Sequence, residues 1–132
     1  MKGIADTGFL VAFGNRHDQH HDWALAIASE LTEPLLTCDA VMAETAFNLR
    51  NAMFALSLIR DGLVTPVFSV ANNLARLEAL AGRYHDREPD LADLCLICLS
   101  EDYPDLPVIT TDKKDFGVYR RFQRQTIRIV TP

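Results

Sequence analysis

The sequence of 132 residues predicts an α/β domain, with a central, mostly parallel sheet of four to five strands flanked by helices. Three observations carry that expectation. Short apolar runs alternate along the chain with longer segments of helical periodicity, the pattern of strands joined by helical crossovers. Residues that stop or cap helices, among them Pro34, Asp39, Asp61-Gly62 and Pro89-Asp90, sit at the junctions. A hydrophobic fraction of 48% against 23% charged is globular and excludes disorder, collagen-like sequence and coiled coil. The length suits one domain over residues 1–132 with a core of its own.

The elements follow in order. Residues 3–5 read as a short strand that turns at Asp6 into a helix over Phe9-Leu10-Val11-Ala12-Phe13. Residues 17–31 have helical spacing, with Trp23, Ile27 and Leu31 on one stripe, and Pro34 stops them. Residues 35–38 form a buried strand, and Asp39 is placed to cap the helix that carries Glu44. Residues 51–60 are helical, ended by Asp61 with Gly62 just past the cap. The strand at 63–68 contains Pro66, which lacks an N–H and so belongs at a sheet edge. Helices at 71–84 and 90–101 precede strands at 106–110 and 127–130.

Thirteen cationic and 18 acidic side chains leave a net charge of −5, which argues against a simple basic coat for duplex nucleic acid. Three cysteines cannot all pair within the chain, so a reducing compartment is expected. Cys95 and Cys98 have C-x-x-C spacing but lie within an apolar helix, which reads as core packing. Asp6 interrupts the first apolar stretch, and no apolar run approaches the roughly 20 residues of a membrane helix. A cytoplasmic protein without membrane contact is the expectation.

The acids are informative through their positions. Asp6 ends the first strand, Glu44 lies about one turn into the helix after the second, Asp93 is in the first turn of a late helix, and Asp112 follows the strand ending at Thr110. In an open parallel sheet, ligands bind beyond the carboxyl ends of the strands, which is where all four fall. Two like charges about 4 Å apart repel by roughly 4 kcal/mol at an effective dielectric near 20. A divalent cation with oxygen ligands, Mg²⁺ or Mn²⁺, relieves that repulsion, and the chemistry that follows is phosphodiester hydrolysis. Each acid taken singly has a plainer explanation: Asp6, Asp39 and Asp90 suit helix caps, and Asp93 suits the positive end of a helix dipole.

At these residues the sequence resembles the PIN-domain proteins, and among them the VapC-type toxins of toxin–antitoxin pairs. The matching stretches are Ile4-Ala5-Asp6-Thr7-Gly8-Phe9-Leu10, then Asn15 with Asp18, His20, His21 and Ala24, then Glu44, Leu91-Ala92-Asp93-Leu94, and Ile109-Thr110-Thr111-Asp112-Lys113-Lys114-Asp115-Phe116. The resemblance implies a PIN-like three-layer sandwich and a metal-dependent endoribonuclease using Mg²⁺ or Mn²⁺. It carries the family's acidic metal cluster onto Asp6, Glu44, Asp93 and Asp112, with Thr110 and Asp115 beside it. It also implies an RNA substrate, a protein antitoxin and a homodimer. Gly8 stands where serine is frequent, and Leu94 where alanine is usual. In the mechanism so implied, Asp6 and Asp93 anchor an ion, Asp112 completes its shell, and Glu44 orients the attacking water or helps hold a second ion.

Other constellations are weighed beside this one. Asp90, three residues before Asp93, is a cap first and a supporting acid second. The segment 113–128 reverses the local charge; Lys113, Lys114, Arg120 and Arg121 are candidates to grip RNA phosphates, with Tyr119 or Phe122 as a stacking face. The alternative is a solvated surface helix with Phe122 in the core. His17 and His21 have the i,i+4 spacing of a zinc pair, but no further ligand completes a tetrahedral site. The helices over 46–59 are richer in apolar residues than one buried face needs, which suits a partner groove or a helix buried on most sides. Two rival readings remain: a receiver-like signalling domain, and a PIN-fold module that binds RNA or protein without chemistry.

Overall fold

The computed structural model describes residues 1–132. Five strands form one sheet: β1 (Ile4–Ala5), β2 (Leu35–Cys38), β3 (Val64–Phe68), β4 (Val108–Ile109) and, last in the chain, β7 (Ile129–Val130). Their order is β3-β2-β1-β4-β7 and every neighbouring pair is parallel. Pro66 does lie on an edge strand, β3, where its missing N–H costs least. The sheet centre is sealed from water: Ile4, Ala5, Leu35, Val64, Val108 and Ile109 are fully buried.

Seven helices flank the sheet: α1 (Thr7–Gly14), α2 (His21–Ser29), α3 (Asp39–Leu49), α4 (Ala52–Arg60), α5 (Leu74–Arg83), α6 (Leu91–Asp102) and α7 (Lys113–Phe116). Helix α1 packs on α2 and α3, α3 on α4, and α5 on α6. Residues Leu94 to Ser100 of α6 are all buried, so Cys95 and Cys98 are core residues, as their apolar surroundings in the sequence imply. Gly62 takes φ +83° after α4, a conformation that an L side chain resists.

The path of the chain decides where a site can form. From β1 it proceeds to β2 and β3 on one side, then returns to place β4 on the other side of β1. The crevice of an α/β sheet opens where the strand order reverses, here beyond the ends of β1 and β4. Asp6 and the Thr110–Asp112 turn stand at those two strand ends.

Three local expectations are corrected. Helix α2 begins at His21, not at 17, because Asn15 Oδ1 accepts the N–H of His17 at 3.0 Å and Asp18 Oδ1 that of His20 at 2.8 Å, folding 15–20 into side-chain-bonded turns. His17 and His21 therefore do not share a helix face, and His21 Nδ1 lies 2.7 Å from the carbonyl of Ala12. Asp39 opens α3 from inside its first turn, with Cys38 at the cap position. The basic segment after α7 is an antiparallel hairpin of β5 (Arg120–Arg121) and β6 (Gln125–Thr126), turning through Phe122 and Gln123 with positive φ at both. Phe122 at its tip is 56% exposed, while Tyr119 is the buried aromatic.

Candidate active site

Asp6 is the N-cap of α1, and only 7% of it is exposed. One carboxylate oxygen accepts the Thr7 N–H at 2.7 Å and the other accepts the Thr110 hydroxyl at 2.6 Å. Burial pushes Asp6 up to about 6; the two hydrogen bonds oppose the shift, and the charges of Asp112 and Glu44 reinforce it. Thr110 is itself fully buried and also accepts the Asp112 N–H at 2.8 Å. A single hydroxyl thus fixes both acids at the strand ends.

The remaining acids come in from the helices. Glu44 accepts the Thr7 hydroxyl at 2.7 Å. Burial raises it, the Thr7 bond opposes, and Asp90 raises it further. Asp93 is pushed up to about 7 by burial and then by the Asp90 charge, against a hydrogen bond from the Tyr119 hydroxyl at 2.9 Å. Asp90 caps α6 by accepting the Asp93 N–H at 2.8 Å. Asp112 caps α7 by accepting the Asp115 N–H at 2.9 Å and is raised chiefly by burial.

Neither lysine nor arginine forms an ion pair with Asp6, Glu44, Asp93 or Asp112, and the groups that chiefly lower Asp6, Glu44, Asp93 and Asp112 are neutral hydrogen-bond donors. A cluster of oxygens without an internal cation is the donor set that a hard divalent ion prefers. The carboxylates do not close around one point as a ready set of three ligands. Asp115 differs from the rest: its carboxylate meets Arg87 at 2.7 Å, and that guanidinium holds it below the usual range.

The PIN domain family model matches residues 4–121. The chain belongs to the PIN domain family. Among solved structures, the PIN fold here is similar to that of VapC20 of Mycobacterium tuberculosis, described as a sarcin-ricin loop cleaving toxin. The TM-score is 0.71 at 22% identity, over 86% of this chain and 92% of that one. No curated protein gives a significant sequence match. The family match leaves no place for the receiver-like reading.

Around the PIN acid cluster, some residues act differently from what their sequence context suggests. Lys113 and Lys114 are exposed in the turn after Asp112. Arg120 and Arg121 instead direct their guanidinium groups at backbone: Arg120 to the carbonyls of Gly117, Val118 and Tyr119, Arg121 to those of Ser100 and Pro104. Those contacts secure the hairpin. Tyr119 is no stacking face, since it is buried edge-on against Tyr84 and Phe116, with ring centroids at 5.0 and 5.4 Å.

Thr7, Tyr119 and Arg87 support the acids, and sequence reasoning assigned none of them that part. Thr7 had a signal in its adjacency to Asp6; the other two reach their partners across 26 and 28 residues with no motif between. Gly8, in place of the frequent serine, is also explained: a β-carbon there would collide with the Thr111 hydroxyl. Leu94 is 6% exposed and packs in the core. The apolar surplus over 46–59 reaches the surface, with Phe47 82%, Met53 80% and Leu56 66% exposed. No helix is long and apolar enough to cross a membrane.

Proposed function

We propose that this PIN domain is a metal-dependent endoribonuclease of the VapC type, the toxin of a toxin–antitoxin pair. What supports this reading is the neighbourhood of Asp6 and Asp112, joined through Thr110, with Glu44 on Thr7 and Asp93 raised in part by both aspartates, none of the four in an ion pair with lysine or arginine. The family match and the likeness to an RNA-cleaving toxin support it. Asp6, Asp93 and Asp112, with Glu44 alongside, would hold Mg²⁺ or Mn²⁺. When bound, the ion neutralises the cluster and makes water a competent nucleophile at phosphorus.

The chain's own residues do the rest. Thr110 holds Asp6 and Asp112 in register, and Tyr119 steadies Asp93. Thr7 binds one oxygen of Glu44, leaving the other to orient the attacking water. Lys113 and Lys114 draw RNA phosphates to the mouth of the site, and Asp90 and Asp115 support it from outside. The bond breaks by in-line attack of water, leaving a 5′-phosphate and a 3′-hydroxyl. The exposed apolar face of α3 and α4 suits an antitoxin segment or a second copy of the chain, in the cytoplasm.

The test is cleavage of total RNA by the full chain with Mn²⁺, with EDTA, and with Asp6→Asn, mapping the ends produced. Cleavage that needs both the metal and Asp6 is expected. Cleavage unaffected by EDTA or by the substitution overturns the reading, and absence of cleavage together with absence of Mn²⁺ binding by calorimetry returns the domain to a non-catalytic binding module.

A further inference from the structure

A polar cavity of about 430 Å³ opens directly beside the acid cluster. Three of its walls belong to residues next to the proposed machinery. Thr7 bonds Glu44, Thr111 precedes Asp112, and Asn48 lies one turn beyond Glu44 on α3, hence on the same helix face. The opposite wall is the turn between α1 and α2, which supplies Asp18, Gln19 and His20. The volume falls in the range of roughly 300–1,000 Å³ typical of small-ligand sites.

The composition of the walls selects the ligand. No lysine or arginine lines the cavity, and one carboxylate does, so a phosphate is disfavoured there. A neutral, planar group with hydrogen-bonding edges is favoured. Asn48 and Gln19 are exposed and bring amide donors and acceptors that nothing in the chain uses. Asp18 spends one oxygen on the His20 N–H and offers the other as acceptor only. Of the four RNA bases, guanine presents two adjacent N–H donors on its Watson–Crick edge and suits a carboxylate acceptor best. Beyond Asn48 a second cavity, of about 530 Å³, carries Arg16, where the neighbouring phosphate can lie. The turn that forms the far wall is set by Asn15 and Asp18 themselves, so the cavity is built by local sequence.

We infer that this cavity is a base-binding subsite, taking one unpaired base of the RNA, guanine in preference, next to the bond that is cut. The inference rests on the ribonuclease reading for its substrate but not for its test. Single-base recognition of this kind requires an unstacked base, so cleavage is directed to single-stranded or looped RNA. Gly8 keeps the floor open, since a side chain there would press on Thr111.

The experiment is a titration of guanosine, inosine, adenosine, cytidine, uridine and ribose into the full chain, followed by amide NMR shifts. Guanosine is expected to shift the amides of Gly8, Gln19, Asn48 and Thr111 and to bind at least about fivefold more tightly than inosine, which lacks one N–H donor group, and than ribose. Asn48→Ala removes an exposed side chain, and Asp18→Asn keeps an acceptor for His20; each should lose about fivefold or more in guanosine affinity. Equal binding of guanosine and ribose, or shifts confined to other residues, overturns the subsite. Selective guanosine binding without any RNA cleavage keeps the subsite and removes the ribonuclease reading. RNA cleavage with no selective binding, and with a base profile at the cut unmoved by Asn48→Ala, does the reverse.

Discussion

The two ends of α6 treat their acids in opposite ways. At the C-terminal end, Arg76 clasps Glu101 at 2.9 Å and Asp102 at 3.1 Å, and Glu101 also accepts the Phe122 N–H at 2.6 Å. About 12 Å away along the helix axis, by a rise of about 1.5 Å per residue, Asp93 feels the charges of Asp90, Asp6 and Asp112, has no ion pair, and is pushed up to about 7. One end is closed by its own chain and ties the hairpin and α5 to α6. The other carries acids with no ion pair from the chain. Pairing marks the acids that hold the fold, and unpaired crowding marks those proposed to act on a ligand.

The contrast can be broken most sharply at Asp6. Asp6→Asn should reduce metal-dependent RNA cleavage by at least about a hundredfold. The same change should leave the fold intact and raise its stability. A shift from 3.8 to about 6 corresponds to roughly 3 kcal/mol of unfavourable free energy at pH 8, and losing one acceptor for the Thr7 or Thr110 donor offsets about 1 of these. Denaturant melts at pH 8 should therefore show a gain of about 1–2 kcal/mol. A loss of stability would mean that the cluster is not under charge repulsion.

The pH dependence of the metal-free protein tests the same end. Asp6 and Asp93 titrate near 6 and 7 in the folded chain and near 3.8 when unfolded. Between those values the folded state binds more protons, so stability is greatest below about pH 4 and declines as pH rises to about 7. Thermal melts from pH 4 to 8 should follow that slope, and millimolar Mg²⁺ should flatten it; a rise over the same window would contradict the assignment.

At the closed end, Arg76→Met should cost about 1–2 kcal/mol, discounted because the side chain is 37% exposed, with RNA cleavage per folded molecule unchanged. Lost cleavage at full stability would erase the distinction between the two ends. The smallest effect is expected from Tyr119→Phe, which removes the hydroxyl that lowers Asp93. Carboxyl-carbon NMR of the metal-free protein should show Asp93 titrating higher still, with cleavage reduced only a few-fold, by about the worth of one hydrogen bond.

Much of the site was legible because its parts are local. Asp6 and Asp90 cap helices, which capping preference reveals, Asp112 directly follows a strand, and Glu44 and Asp93 lie in the helices nearby. Asp90 caps α6 as its sequence position suggests, while its influence on Glu44 joins two helices with no sequence relation. The backbone contacts of Arg120 and Arg121 are hidden from the sequence for a related reason. Charge density suggested a phosphate grip, but a hairpin brings their guanidinium groups over backbone carbonyls, those of Arg121 17 and 21 residues away.

The alternation of strand and helix, the edge position of β3 and the placement of Asp6 and Asp112 at strand ends, with Glu44 and Asp93 in the early turns of helices, were determined by sequence alone, since periodicity, proline and capping act over a few neighbouring residues. Tertiary structure decided which groups meet. The Thr110 hydroxyl reaches Asp6 across 104 residues, Thr7 reaches Glu44 across 37, and Arg87 reaches Asp115 across 28. Those meetings, and the polar cavity that opens beside them, follow from the reversal of strand order around β1, which brings distant stretches of chain to one edge of the sheet.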